Sequence, residues 1–222
     1  MKNNDDVLYA KAIEAIKWEP LLHENKIDIS VQNGIVSLNG IVDNYAQKSE
    51  ARDALKNILG IKAVVDDLKV KPHFSVIKSD NDIAAAVIKA FKKNWIVPDH
   101  RIEITVQDGW VTLEGILHWN FQRKAANNAI RYLNGIKGVI DKIKIEAEVK
   151  NEIRKEIVEK ALQRSTLFEV NSIRVSIDER TIILSGIVGS LFQKEEAERI
   201  AWNTPGVWYV DNKILVEFDM YG

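Results

Sequence analysis

The sequence predicts an α+β protein of three tandem domains, each of α-β-β-α-β order, with a three-stranded mixed sheet covered by two helices. Three observations lead to this prediction. A ten-residue stretch of alternating apolar residues occurs three times, ending in Gly40, Gly115 or Gly186 and two more apolar residues. These glycines lie 75 and 71 residues apart, and each stretch has helical patterns on both sides. Matching segments at so long a period indicate three copies of one small domain, over residues 1–72, 79–148 and 149–220.

Each copy is predicted to open with an amphipathic helix. Apolar residues recur there at steps of three and four, as Leu8, Ala12 and Ile16 do in the first copy. Acidic or amide side chains that favour a helix start precede each pattern, at Asp5 and Asp6, at Asp80 or Asn81, and at Asn151.

A β-hairpin is predicted to follow each first helix. Its first strand alternates apolar and polar residues over 27–31, 102–106 and 173–177. The turn that follows is Asn33-Gly34 in copy one and Asp108-Gly109 in copy two, which suit a type I′ turn with positive φ at both positions. Glu179-Arg180 tolerates that geometry poorly, so the third copy is predicted to have a longer or differently shaped turn.

The second helix of each copy is predicted to begin beside a glutamine, at Gln47, Gln122 or Gln193. Asn44 and Ser190 stand three residues before their glutamines and form capping boxes, whereas the middle copy has Trp119 in that place. The recurring glutamine is therefore interpreted as a structural residue. The helices are predicted to end at Gly60, Gly135 and Gly206.

A third strand is predicted to return parallel to the second through a right-handed crossover. Aspartates recur near its start, at Asp66, Asp141 and Asp211. Three copies of one catalytic acid without a partner base would be hard to explain, so these aspartates are interpreted as turn residues. The four histidines fall at unrelated positions of the repeat, and no pair has helical ligand spacing. The sequence therefore predicts no enzyme, no metal and no cofactor.

Charge and composition limit the classes of partner that the protein is expected to bind. Residues 1–75 hold ten basic and eleven acidic side chains, residues 76–147 eleven and eight, and residues 148–222 ten and thirteen. No copy has the strongly basic character of a nucleic-acid-binding domain, but the middle copy is the one suited to an anionic surface. The chain has no apolar signal-peptide segment at its start and no run long enough to span a membrane, which predicts a cytoplasmic protein, or one peripheral at the inner membrane. It has no cysteine, which is neutral about the compartment.

One cluster of basic and aromatic residues in the middle copy is a candidate lipid-binding site. Aromatic rings at headgroup level with cations reaching phosphates are typical of interfacial binding. The candidate residues are Lys89, Lys92, Lys93, Trp95, Trp119, Arg123 and Lys124. Two alternatives stay open. Trp95 and Trp119 could instead seal a contact between copies, and the acidic third copy could offer a protein-contact surface through Trp202, Trp208 and Tyr209.

The repeat resembles the BON domain family of bacteria. Residues 33–42 (Asn-Gly-Ile-Val-Ser-Leu-Asn-Gly-Ile-Val) and 206–212 (Gly-Val-Trp-Tyr-Val-Asp-Asn) are close to that family's signature. The resemblance implies attachment to phospholipid or another envelope component, and a link to osmotic or envelope stress. Many members are periplasmic, whereas this chain shows no export signal, which leaves the inner membrane surface or a cytosolic partner. The leading hypothesis is a non-enzymatic protein that binds anionic phospholipid, and the alternative is a protein–protein scaffold.

Overall fold

The computed structural model describes residues 4–22, 27–71, 78–146, 153–168 and 172–217. Over these ranges, six α-helices and nine strands form three separate three-stranded sheets, one in each copy. This confirms the predicted fold class. The first copy consists of α1 (Asn4–Trp18), β1 (Ile27–Gln32), β2 (Ile35–Val42), α2 (Tyr45–Leu55) and β3 (Ala63–Val70).

The other two copies repeat the same order. The second consists of α3 (Asp80–Lys93), β4 (Ile102–Gln107), β5 (Trp110–Leu117), α4 (Asn120–Ile130) and β6 (Gly138–Ile145). The third consists of α5 (Lys155–Gln163), β7 (Ile173–Asp178), β8 (Thr181–Val188), α6 (Leu191–Trp202) and β9 (Tyr209–Val216). The predicted helix start at Asn151 lies outside the described residues, and α5 begins at Lys155.

Each sheet has its second strand in the centre. In the first copy, Leu38 of β2 pairs with Ile29 of the antiparallel β1 and with Asp66 of the parallel β3. The other two sheets have the same pairing. Val36 and Leu38 are buried beneath the helices, whereas Ile41 on the opposite face is 48% exposed. One face of each sheet therefore carries the core, and the other faces outward.

The hairpin turns have the predicted conformation in two copies. Asn33 and Gly34 have φ values of 53° and 79°, and Asp108 and Gly109 have nearly the same values. The carboxylate of Asp5 accepts hydrogen bonds from the amides of Asn33 and Gly34 at 2.7 and 3.0 Å, which ties α1 to the turn. Asp80 does the same in the second copy. These helix-start acids therefore also hold the hairpin.

The third hairpin differs in shape and not in length. Asp178 pairs with Thr181, so two residues again form the turn. Glu179 has a φ of 50°, but Arg180 keeps a negative φ. A side chain at the second position therefore avoids the left-handed conformation that the type I′ turn demands of it.

The second helices begin as predicted and end earlier. The Asn44 side chain accepts a hydrogen bond from the Gln47 amide at 2.9 Å, and the Gln47 side chain accepts one from the Asp43 amide at 2.8 Å. The Gln47 amide group also donates to the carbonyl of Leu21, so the recurring glutamine joins two loops. The predicted helix ends at Gly60, Gly135 and Gly206 are wrong, because the helices end at Leu55, Ile130 and Trp202 and a further turn precedes each glycine.

The buried apolar side chains form two clusters. One belongs to the first copy and includes Leu8, Leu38 and Leu55. The other is continuous through the second and third copies. Leu191, at the start of α6, packs against both clusters. The second and third copies thus share a core, while the first copy joins them mainly through polar contacts.

Candidate functional site

The end of α3 and the residues just after it carry four of the predicted lipid-binding residues, all of them exposed. Ile83, Val87 and Phe91 recur every four residues and are buried, which fixes the inward side of the helix. Lys89, Lys92 and Lys93 are exposed and share the outward side, because residues three and four apart lie on one helical face. Just beyond the helix, Trp95 is 92% exposed. We call Lys89, Lys92, Lys93 and Trp95 the α3 surface.

The two tryptophans of the candidate site have different surroundings. An indole as exposed as that of Trp95 does not seal a contact between the described parts of the copies. Trp119, in contrast, is half-buried at the start of α4 and stacks on Phe121, with ring centroids 6.2 Å apart. Its backbone amide donates to the Gln122 side chain, which replaces the usual cap.

Arg123 and Lys124 are not part of the α3 surface. Both line a central cavity of about 430 Å³ that lies between the three copies. The walls come mainly from α2, α4 and α6, so each copy contributes its second helix. The structure therefore places four of the seven predicted site residues on the α3 surface and two in the cavity, and Trp119 belongs to neither.

Charged side chains dominate the central cavity. Five of its lining residues are basic, namely Arg52, Lys56, Arg123, Lys124 and Arg131. Three are acidic, namely Asp53, Asp141 and Glu198. Trp202 also lines the cavity and is only 8% exposed, so it cannot belong to an outer protein-contact surface of the third copy.

Ion pairs around the cavity join the copies. Nη2 of Arg131 at the end of α4 lies 2.5 Å from Asp53 and 3.1 Å from Glu50 of α2. Lys56 at the end of α2 lies 2.8 Å from Glu195 of α6. Backbone bonds support the second contact, since the Phe192 amide donates to the carbonyl of Lys56 at 3.0 Å. The end of α2 thus meets the first turns of α6, and the end of α4 meets the second half of α2.

Two pKa shifts follow from this arrangement. Burial alone would raise the pKa of Asp53, but the hydrogen bonds and charges of Lys56 and Arg131 outweigh it and hold the pKa below its ordinary value. For Lys124, desolvation by the cavity walls lowers the pKa of the amine, and the nearby Glu198 only partly opposes this. Lys124 is still accessible to solvent, as expected for a side chain that lines an open cavity.

The sequence contained a signal for this cavity that the periodicity analysis missed. Residues that occupy equivalent places in the three second helices differ in charge from copy to copy. Such places hold Arg52, Asn127 and Glu198, and also Lys56, Arg131 and Trp202. When the charge at a surface position differs between copies of one domain, the position is usually interpreted as solvent-exposed. Charges that are complementary between copies also suit surfaces that contact one another.

The aspartates of the third strand have structural roles. Asp66 pairs with Lys48 at 3.3 Å, and Asp141 pairs with Arg123 at 2.8 Å. The register shows that the equivalent residue of the third copy is Asn212, because it pairs with Leu184 as Asp141 pairs with Leu113. The choice of Asp211 as the third member was therefore wrong by one residue.

We expect Arg131→Met to loosen the contact between the first and second copies. The variant should lower the free energy of unfolding by about 1–2 kcal/mol, as expected for a part-buried charged hydrogen bond. Since the pKa of Asp53 is depressed, the contribution is complete above the ordinary aspartate pKa of about 3.9 and is lost as the pH falls towards the lower value of the folded state. Urea unfolding of both proteins at pH 7 and pH 3 measures this.

Lys142→Met is the matched control, because Lys142 pairs with Glu114 inside the second copy and both side chains are well exposed. It should change the stability by less than about 0.5 kcal/mol. An equal loss in both variants at pH 7 would contradict a specific role for the contact between copies.

Two further features bear on function. Within the described residues, no three histidine, aspartate or glutamate side chains are grouped so that they could hold a metal ion. Over the same part of the chain, no helix has both the length and the apolar character needed to cross a bilayer.

Comparison with known proteins identifies the repeat. The profile of the BON domain matches residues 4–72, 79–147 and 150–217, so it covers each of the three copies. The chain belongs to the BON domain family. The resemblance that the hairpin glycines indicated is thereby confirmed, with three BON domains in tandem. Each BON domain contains one sheet and contributes residues of its second helix to the cavity walls.

Among curated proteins, this BON-domain chain is similar to "Osmotically-inducible protein Y" of Escherichia coli (strain K12). The two are 28% identical over 145 residues, which cover 64% of this chain and 72% of the relative. Two solved structures of CdsD, a structural protein of the type III secretion system of Chlamydia trachomatis, are 17% and 16% identical to it. They cover 97% and 95% of this chain, and the alignments span 99% and 92% of those chains, with TM-scores of 0.25 and 0.27. At these TM-scores the similarity carries no structural conclusion.

Proposed function

We propose that this BON-domain protein is a non-enzymatic binding protein that attaches to anionic phospholipid surfaces through the α3 surface, as part of a response to osmotic stress. The observation that carries the proposal is the 92% exposure of Trp95 beside three exposed lysines. Burial of an indole is favourable, and an indole exposed to water does not gain that free energy. An exposed tryptophan beside lysines is therefore a candidate for interfacial binding.

The chemistry of the α3 surface suits a headgroup layer. The indole combines a large apolar body with one polar N–H, which favours the boundary between lipid tails and water. Each lysine near an anionic leaflet contributes about 1 kcal/mol of attraction. The buried Phe91 anchors the helix from the opposite side, so the lysines and Trp95 project from a rigid support. The link to osmotic stress is supported by the name of the similar Escherichia coli protein.

We expect Lys92→Glu with Trp95→Ala to weaken binding to vesicles that contain phosphatidylglycerol by at least about tenfold, because the change removes one attraction, adds one repulsion and deletes the indole. Co-sedimentation with anionic and with zwitterionic vesicles measures this. Binding of the native chain should fade over a few hundred millimolar salt, since screening shortens the reach of the lysines.

The matched control is Lys17→Glu with Trp18→Ala, at the end of the first helix of copy one. Trp18 is 78% exposed, and the control makes the same change in charge and in aromatic area. Glu19 follows directly, so this helix end should bind anionic lipid poorly. Equal losses in both variants would mean that attachment does not depend on the α3 surface. If the native chain does not bind anionic vesicles, lipid attachment is wrong.

The second candidate function is a protein scaffold. It is favoured by apolar surface on the third copy, where Trp208, Tyr209 and Leu215 are 41%, 59% and 58% exposed. Arg180 stacks on Trp208 at 4.5 Å, and an arginine over an indole is a frequent element of protein interfaces. The vesicle experiment separates the two candidates, because a scaffold would sediment with neither kind of vesicle.

A further inference from the structure

We propose that the central cavity is a binding site for a small phosphate monoester, with Lys124, Arg52, Arg131 and Asn120 as the groups that hold it. This goes beyond lipid attachment, which uses a different surface. The volume of about 430 Å³ falls within the range of about 300–1,000 Å³ that small-molecule sites have. All three BON domains contribute walls, so the site exists only in the assembled chain.

The acidic groups of the cavity are already occupied. Asp53 binds Lys56 and Arg131. Asp141 accepts hydrogen bonds from Arg123, Asn127 and the backbone amide of Ile143. Glu198 accepts bonds from the Trp202 indole and from Asn212. Few carboxylate oxygens are therefore left for a cationic ligand.

Several donors of the same cavity remain uncommitted among the described residues. Lys124 makes no hydrogen bond and no ion pair within 4 Å, although the carboxylates of Glu195, Glu196 and Glu198 in α6 act on it at longer range. Nε of Arg131 is buried without a partner. Asn120 is only 7% exposed, yet its side chain makes no hydrogen bond to any described residue. Arg52 has a single side-chain bond, to Ser49 at 3.4 Å.

The cavity has N–H donors without partners but few free carboxylate oxygens, which favours a ligand rich in acceptor oxygens. Nε of Arg131 is buried without a partner in the described part of the chain, and such a donor costs about 1–3 kcal/mol, so a ligand oxygen that satisfies it is favoured. Lys56, Arg123 and Arg131 are paired with carboxylates, which leaves Arg52 and Lys124 as the lining cations without an ion pair among the described residues. A phosphate monoester carries about −1.5 to −2 charges at pH 7 and three strong acceptor oxygens, which matches both the charge and the donors.

The predominantly polar walls restrict the rest of the ligand. Apart from Tyr45 and Trp202, the lining side chains are charged, amide or hydroxyl groups. A small hydrophilic body such as a glycerol or sugar unit fits these walls, whereas an acyl chain does not. The same phosphate chemistry could also come from a lipid headgroup, and the experiment distinguishes the two sources.

The test is thermal unfolding and titration calorimetry of the full chain with inorganic phosphate and with glycerol phosphate, against sodium chloride of equal ionic strength. Both phosphates should raise the melting temperature by roughly 5 °C at a hundred times the dissociation constant. Lys124→Gln and Arg52→Gln should each weaken binding at least about tenfold, because each removes one charged contact to phosphate. No rise beyond that of chloride would overturn the proposal.

Lys92→Gln on the α3 surface is the control, and it should bind both phosphates as the native chain does. Lys124 and Arg52 take no part in strong contacts, so their variants should melt within about 2 °C of the native chain without phosphate. Loss of phosphate binding in Lys92→Gln but not in Lys124→Gln would overturn the cavity as the site. Lys124→Gln should still sediment with anionic vesicles, so this proposal and lipid attachment can fail independently, and loss of that sedimentation would assign the cavity to lipid headgroups.

Discussion

Gly186→Ala should lower the free energy of unfolding by about 3–5 kcal/mol, the largest effect we expect from a single methyl group. Gly186 has a φ of +135°, and a Cβ atom there would lie 2.0 Å from the carbonyl oxygen of Ser172. Backbone strain of about 1–3 kcal/mol and a clash of about 1–3 kcal/mol add, because the neighbouring atom is backbone and cannot rotate away. Thermal unfolding followed by circular dichroism should show a drop of about 10 °C.

Ser185→Ala is the control for that experiment, because it changes the adjacent residue of β8 on the opposite face. It should shift the free energy of unfolding by less than about 0.5 kcal/mol. Gly115 has the same close approach, with 2.1 Å to the carbonyl oxygen of Arg101. If Gly186→Ala destabilised the protein by less than about 1 kcal/mol, the backbone at Gly186 could not lie as close to the carbonyl group of Ser172 as described.

Phe91→Ala should destabilise the second copy by about 3–5 kcal/mol, and we expect the third copy to be destabilised as well. Phe91 is 1% exposed and belongs to the core that is continuous through both copies. Deleting a buried ring removes its burial and leaves a cavity. If the two copies open as one unit, amide exchange should accelerate at least about a hundredfold in β5 and β8 alike.

Leu38→Ala is the matched control, because Leu38 is fully buried in the separate cluster of the first copy. It should accelerate exchange in β2 and leave β5 and β8 nearly unchanged. Faster exchange in β5 alone after Phe91→Ala would show that the second and third copies open independently. Hydrogen exchange read by mass spectrometry distinguishes these results without dissecting the chain.

The fold was predictable because its determinants are local. Strand alternation and the turn residues fix the hairpins, and Asn44 and Ser190 mark helix starts through contacts only three residues long. The errors have local causes as well. The sequence predicts that α2 ends at Gly60, but the helix ends at Leu55 with Lys56 as its C-cap, and a further turn separates it from the glycine. A glycine predicts a residue in the left-handed conformation, but it does not predict which residue is the last of the helix.

The candidate site was predictable only in part. The periodicity of α3 correctly implied an inward Phe91 and outward lysines, since one helix determines that geometry. The surroundings of Arg123 and Lys124 depend on how three domains pack, and no local pattern encodes that. The contact of Arg131 with Asp53 joins residues 78 positions apart. The role of a charged residue in one copy therefore depends on which residues of another copy lie next to it.

The contacts of the second helices also bear on the sequence differences between the three BON domains. In a trimer of identical subunits, the place held by Lys56 and Arg131 would face the same partner residue at each of three interfaces, and any unfavourable pairing would occur three times. A single chain escapes that constraint. Lys56 can meet Glu195 while Arg131 meets Glu50 and Asp53, so each junction can be optimised by itself. One chain can therefore form an asymmetric cavity in which Arg52 and Lys124, the lining cations without an ion pair among the described residues, lie on two of three walls. No symmetric assembly of one subunit could form such a cavity.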